Sequence, residues 1–242
     1  MNDRSDDEPA QYAEADRGDD RQDGRTLVLP TVTGEPPKRL LVMLHGAGSS
    51  PGSIVPAALA WQLKLRSAQA LLLQAPFAGA DGRCFWLDPT QHLVSAEAVG
   101  QAAVHARRQI EARQRAAGLG PEQTLLVGFS QGASVALELA FGEAPCAAIT
   151  IGYAARLYRM PSPQDRVNGL IHLLHGGADS VVPCVYGEAA YRRLRAIGAQ
   201  VSLELLPDEG HAVGQMLINR GTQHAMNWLF GRGQEAPPGD AH

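Results

Sequence analysis

Apolar and polar positions fall in blocks along this chain. Residues 40–44, 71–73, 125–127, 147–151 and 170–174 are short apolar runs with no polar alternation, the pattern of strands buried on both faces. Residues 26–29 read as an edge strand, set off by Pro36-Pro37, and 201–206 alternates more, as a strand nearer the sheet margin does. Helical spacing lies between the runs. Residues 53–66 place Val55, Leu59 and Leu63 on one inward stripe, and 92–117 turns Ala96, Val99, Ala103 and Ile110 inward until Gly118 and Gly120-Pro121 stop it. The helix following residue 130 is apolar nearly all round to 141, which predicts a central, enclosed position. Further helices fit 185–197 and the stretch ending near 230, and residues 77–90 read as a loop over the sheet edge. Strand and helix thus alternate, which predicts an α/β class domain: a mostly parallel central sheet with helices on both faces.

Composition changes this picture mainly at the ends. The chain has 242 residues, 45% of them hydrophobic, enough for one good core. Residues 1–24 contain a single aromatic, Tyr12, and no Leu, Ile, Val or Phe, so they are expected to be a disordered acidic tail. The folded domain is expected over 25–231, and 232–242 as a flexible C-terminal tail. Of the net charge of −4, residues 1–23 carry −6 and the remainder +2, so no basic stripe suggests a nucleic-acid partner. No apolar run approaches a membrane span and no basic-then-apolar leader opens the chain. Three cysteines, Cys84, Cys146 and Cys184, lack disulfide or metal spacing and read as free thiols, which favours a cytoplasmic location.

In a parallel sheet the carboxyl ends of the strands share one edge, where active sites form. Gly128-Phe129-Ser130-Gln131-Gly132 sits at such an end, between an apolar strand and a helix, the context a nucleophile elbow requires. Asp179 and His211 close two later strands, giving the chain order Ser, Asp, His. Ser130 is the expected nucleophile, His211 the general base and then acid, and Asp179 the group that orients the imidazole. The backbone N–H groups of Gln131 and Ala47 are the expected oxyanion hole, with glycines at 46 and 48 letting the second loop fold tightly. His45 is expected to order that loop by hydrogen bonds, and His172 to be a satisfied core histidine. Asp208 and Glu209 are rival acids, poorly placed because they precede His211 on its own loop. No His-x-x-x-His or Cys-x-x-Cys suggests a metal, Gly46-x-Gly48 lacks the third glycine of a dinucleotide fingerprint, and no cofactor is expected.

These residues resemble a known family, the serine carboxylesterases related to acyl-protein thioesterases and phospholipase/carboxylesterases. The likeness spans about 38–230. It rests on Leu44-His45-Gly46-Ala47-Gly48, Ala75-Pro76, Phe85-Trp86-Leu87-Asp88, the Gly128–Gly132 elbow, His175-Gly176-Gly177-Ala178-Asp179 with Val182-Pro183, and Gly210-His211. Gly82-Arg83-Cys84-Phe85-Trp86 is similar to a loop of a bacterial esterase branch, whereas Ser180 stands where relatives often carry proline. The resemblance implies an α/β-hydrolase fold with minimal or no cap, cleavage of carboxylic esters or thioesters, an acylated protein as one candidate substrate, and a homodimer as one candidate assembly. Residues 152–169 are too few for a helical lid, so Phe77, Trp86 and Tyr153 are expected to shape the acyl pocket. A peptidase or lactone hydrolase on this scaffold, and a catalytically silent binding protein, are the alternatives.

Overall fold

Strand β1 (Leu27–Leu29), β2 (Arg39–Leu44) and β3 (Ala68–Leu73) open the fold, with helix α1 (Val55–Lys64) between the last two. The computed structural model describes residues 26–79, 83–91 and 93–231; the tails expected over 1–24 and 232–242 lie outside them. A small antiparallel hairpin, β4 (Phe77–Ala78) with β5 (Cys84–Phe85), follows where the sequence predicts only loop. Then come α2 (Ala96–Ala117), β6 (Thr124–Phe129), α3 (Gln131–Leu139), β7 (Ile149–Tyr153), β8 (Leu170–Gly176), α4 (Val185–Ala196), β9 (Val201–Leu206) and α5 (Gln215–Leu229). The seven-stranded sheet has the order β1-β3-β2-β6-β7-β8-β9, and all neighbours are parallel except β1 against β3. This is an α/β-hydrolase arrangement. No helix intervenes between β7 and β8.

Each apolar run feeds both faces of the sheet. Leu40, Val42, Leu71, Leu73 and Leu126 pack under α2 and α3, while Leu41, Met43, Leu72, Leu125 and Val127 pack under α1 and α5. A third cluster joins α3 to α4 through Leu137, Ile171, Leu173 and Leu194. Helix α3 is enclosed as its composition predicts, with Gly132 through Leu137 and Leu139 all buried. Helix α2 starts where Ser95 accepts a hydrogen bond from the Ala98 N–H at 3.1 Å and stops at Gly118, whose φ of 64° an L side chain rarely adopts.

The stripe expected on α1 is not the one that faces the sheet. Ala58, Trp61 and Gln62 are buried, whereas Leu59 and Leu63 are 48% and 68% exposed. Trp61 offers the larger apolar surface, and the small Ala58 lets the helix approach closely enough to bury it. Gln62 goes with them because its amide donates to the carbonyls of Pro30 and Ala68. Ala96, likewise expected to face inward, is exposed at the start of α2.

Candidate active site

The turn from β6 into α3 is built by two glycines and one strained serine. Added to Gly128, a Cβ would lie 2.6 Å from the Ala133 Cα; added to Gly132, 2.5 Å from the carbonyl oxygens of Leu44 and His45. No side chain fits at either position, so α3 starts in direct backbone contact with the end of β2. Ser130, between them, has φ 53° and ψ −115°. That conformation is costly for an L residue and characteristic of functional sites. The Ser130 N–H donates to Tyr153 O at 2.9 Å, tying the elbow to β7. Gln131 occupies the first position of α3, where a backbone N–H has no carbonyl one turn earlier to bond.

The loop after β2 folds over this elbow. A Cβ on Gly46 would sit 3.6 Å from the Ser130 Cβ, and the Ala47 backbone is exposed immediately beyond it. Gly48, at φ 66°, donates to Cys84 O at 2.9 Å, and the Cys84 N–H donates to Ser49 O at 2.8 Å, so the hairpin clamps the loop. Three side chains complete the fixture. His45, fully buried, holds Gly46 O at 2.8 Å through Nδ1 and receives the Ala75 N–H at Nε2, 3.4 Å away. Accepting at Nε2 assigns the proton to Nδ1, and burial lowers the pKa of the imidazole, outweighing the Gly46 carbonyl that raises it. Trp86 donates its indole N–H to His45 O at 2.8 Å, and its backbone N–H reaches the Gln131 Oε1 at 2.7 Å. The buried His45 carbonyl is thereby satisfied, and the elbow and the loop after β2 become one unit.

On the other side of the edge, His211 donates from Nδ1 to Asp179 Oδ2 at 2.7 Å. The second carboxylate oxygen accepts the N–H groups of Val181 (2.9 Å) and Val182 (2.8 Å). The Asp179 side chain is fully buried. Burial pushes its carboxyl up, but the hydrogen bonds from His211, Val182 and Val181 outweigh this and hold the pKa below the ordinary carboxylate value. The group is an anion, and with Nδ1 committed to it, Nε2 is the His211 ring nitrogen that remains. The Phe129 ring, next to Ser130 in the chain, packs against the His211 ring with centroids 4.9 Å apart. Asp208 is exposed, and the Glu209 carbonyl accepts the Ala178 N–H.

Three contributors had weak signals in the sequence. Phe129 supports the His211 ring and would crowd any Cβ on Gly46, its Cδ1 lying 3.0 Å away. The Gln131 side chain anchors Trp86, although only its backbone was expected to matter. His175, also buried, donates from Nε2 to Val182 O at 2.7 Å and lies 3.6 Å from Asp179 Oδ2, bracing the turn that cradles the carboxylate. A histidine ending an apolar strand just before Gly-Gly was the available signal for it.

Of the residues expected as an acyl wall, Phe77 and Trp86 lie together and Tyr153 lies apart from them. Trp86 packs in the cluster under α2 and α3, and Tyr153 in the one under α1 and α5, on the opposite face of the sheet. The Tyr153 ring is buried and its hydroxyl abuts Gly221 of α5. Phe77, 41% exposed, borders with Trp86, Leu87 and Ala102 a cavity of about 200 Å³ beside α2; neither Ser130 nor His211 lines it. His172 bonds Ser202 Oγ through Nδ1 at 2.6 Å and stacks on His224 with centroids 3.9 Å apart. Among the described residues no helix is long and apolar enough to cross a membrane.

Comparison with known proteins gives a consistent result. The phospholipase/carboxylesterase family profile matches residues 31–228. The esterase YpfH of Escherichia coli strain K12 is 35% identical over 116 residues, which are 48% of this chain and 48% of that protein; the match thus spans about half the length of the relative. Among solved structures, the esterase PE8 superposes with a TM-score of 0.74 at 26% identity, covering 84% of this chain and 98% of that one. The carboxylesterase of Mesorhizobium loti (TM-score 0.71, 18% identity, 84% and 93% covered) shares the fold.

Proposed function

We propose, from the premise that this chain belongs to the phospholipase/carboxylesterase family, that it hydrolyses carboxylic esters or thioesters through Ser130, His211 and Asp179. One observation carries the reading: an Asp179–His211 pair at 2.7 Å on the same sheet edge as a serine held at φ 53° where strand meets helix. His211 Nε2 takes the Ser130 hydroxyl proton as Oγ attacks the acyl carbon. The oxygen of the tetrahedral adduct, now negative, is received by the backbone N–H groups of Ala47 and Gln131, each donor typically worth about 3–4 kcal/mol at the transition state. Collapse expels the alcohol or thiol, which leaves with the proton from His211. Water then attacks the acyl-serine, gives its proton to His211, and the acid departs as Ser130 recovers its own.

Asp179 remains an anion throughout, holding the productive tautomer and balancing the imidazolium. No step calls on a cofactor. The free thiols of Cys146 and Cys184 fit a reducing, cytoplasmic setting. The test is labelling with a fluorophosphonate probe, followed by para-nitrophenyl ester and acyl-thioester panels on wild type and Ser130→Ala. Labelling and turnover should vanish in the variant. Equal labelling of both proteins would remove Ser130 from the mechanism.

A further inference from the structure

The loop leaving β7 holds a cation that the proposed hydrolysis does not use. Its first residue, Ala154, has φ 51°; it and Ser130 are the only non-glycine residues with positive φ among those described. The Ala154 N–H is tied to Leu174 O at 3.0 Å. Two residues on, the Arg156 N–H lies 3.4 Å from Ser134 Oγ, which itself bonds Ser130 O at 3.3 Å. The backbone of Arg156 is therefore anchored to the first turn of the helix that Ser130 begins. Ala155 and Leu157 are buried on either side of it, so the exposed Arg156 is held out from a fixed loop.

Its guanidinium carbon lies over two aromatic rings, 4.6 Å from the Tyr158 centroid and 4.4 Å from the Tyr186 centroid. Tyr186 lies in the first turn of α4, just past the Asp179 turn, so the clamp bridges the elbow side and the acid side of the edge. The neighbouring carboxylates are engaged elsewhere: Glu138 and Asp165 by Arg159, Glu188 by Arg192, Asp179 by His211. Among the described residues no carboxylate or carbonyl accepts from the Arg156 side chain. Cation–π contact with a ring uses none of the guanidinium N–H groups as hydrogen-bond donors to oxygen, and an N–H edge matches a carboxylate bidentately. A clamped side chain also loses less rotamer entropy when it binds than a mobile one does.

We infer that Arg156, held by Tyr158 and Tyr186 on a loop anchored to the first turn of α3, is a specificity residue that receives a carboxylate carried by the ester substrate. The inference rests on the Ser130 hydrolase reading and deepens it. Substrates would then be half-esters of dicarboxylic acids, or esters whose alcohol bears a carboxylate.

Matched probes test it: para-nitrophenyl hemiglutarate against para-nitrophenyl pentanoate for an acyl-side charge, and para-acetoxybenzoate against para-tolyl acetate for one on the leaving group. The readout is the ratio of kcat/KM, charged over neutral, so a general loss of folding or catalysis cancels. Arg156→Ala should lower the ratio about 10- to 100-fold for at least one pair, the range of a charge-assisted hydrogen bond. Arg156→Lys should recover part of it, Arg156→Glu should fall below Ala, and Tyr186→Leu should lie between wild type and Ala. A ratio within about twofold of wild type for both pairs in Arg156→Ala overturns the inference. Wild type that cleaves none of the four esters and takes up no fluorophosphonate would instead overturn the hydrolase reading on which it rests.

Discussion

At the end of β2 and β6, side chains do the fixing: the Trp86 indole, the His45 ring and the Gln131 amide knit the loop after β2 to the elbow. At the end of β8 and β9 the backbone does much of it. A Cβ on Gly176 would press to 2.7 Å from the Gly210 carbonyl oxygen, and one on Gly177 to 2.9 Å from the Pro207 Cα. The 207–211 loop thus lies directly on the 176–179 turn, with His175 bracing that turn from below. In the proposed mechanism the first bank holds two N–H donors, and side-chain hydrogen bonds fix it. In that same mechanism the second carries the imidazole that relays the proton, and close backbone packing seats its loop.

Mutations can break each bank separately. The largest effect is expected at the Asp179–His211 contact: Asp179→Asn should cut kcat by about 10⁴-fold with the fold intact, because an amide can favour the wrong imidazole tautomer. Circular dichroism alongside steady-state kinetics separates the two outcomes. Gly176→Ala comes next. Forcing the 207–211 loop off its seat should lower kcat about 100-fold, the order expected for a shift of about 1 Å in a catalytic group, and lower the unfolding midpoint with it.

On the opposite bank, Trp86→Phe keeps the bulk but leaves the buried His45 carbonyl without its donor. A stability loss of about 1–3 kcal/mol is expected, with about a tenfold fall in kcat and little change in KM. Equal losses in the two glycine-packed and indole-bonded variants would erase the distinction between the banks.

The smallest effect concerns acid stability. Burial, with the neighbouring His224, pushes the His172 pKa down to about 3. The folded state therefore keeps this ring neutral while the unfolded chain binds a proton below about pH 6.5. Its contribution is intact above pH 6.5 and lost as pH falls toward 3, at no more than about 1.4 kcal/mol per pH unit. Urea unfolding at pH 7.5 and pH 5 should show His172→Asn losing up to about 2 kcal/mol less than wild type over that span. His45, whose pKa burial also lowers, keeps some acid sensitivity in the variant.

Much of this arrangement was legible in the sequence. The buried runs announced a parallel sheet, and three strand ends carried the residues now found along its carboxyl edge. What escaped has physical reasons. Helix α1 is apolar on nearly every side, so Val55-Pro56-Ala57-Ala58-Leu59-Ala60-Trp61 offers no polar contrast to mark its inner face. Ile149, Ile151 and Tyr153 point to one side of β7, but a strand buried on both faces has no exposed polar position to reveal which side that is. The β4–β5 hairpin is two residues per strand, and its pairing depends on contacts with Ser49 that lie far off in sequence.

The short link between β7 and β8 has a kinetic meaning. No helix stands there to open and shut, so movement of that link is not a step of the proposed catalytic cycle. A rate measured on dissolved substrate should then not jump through opening of that link when the same substrate forms droplets.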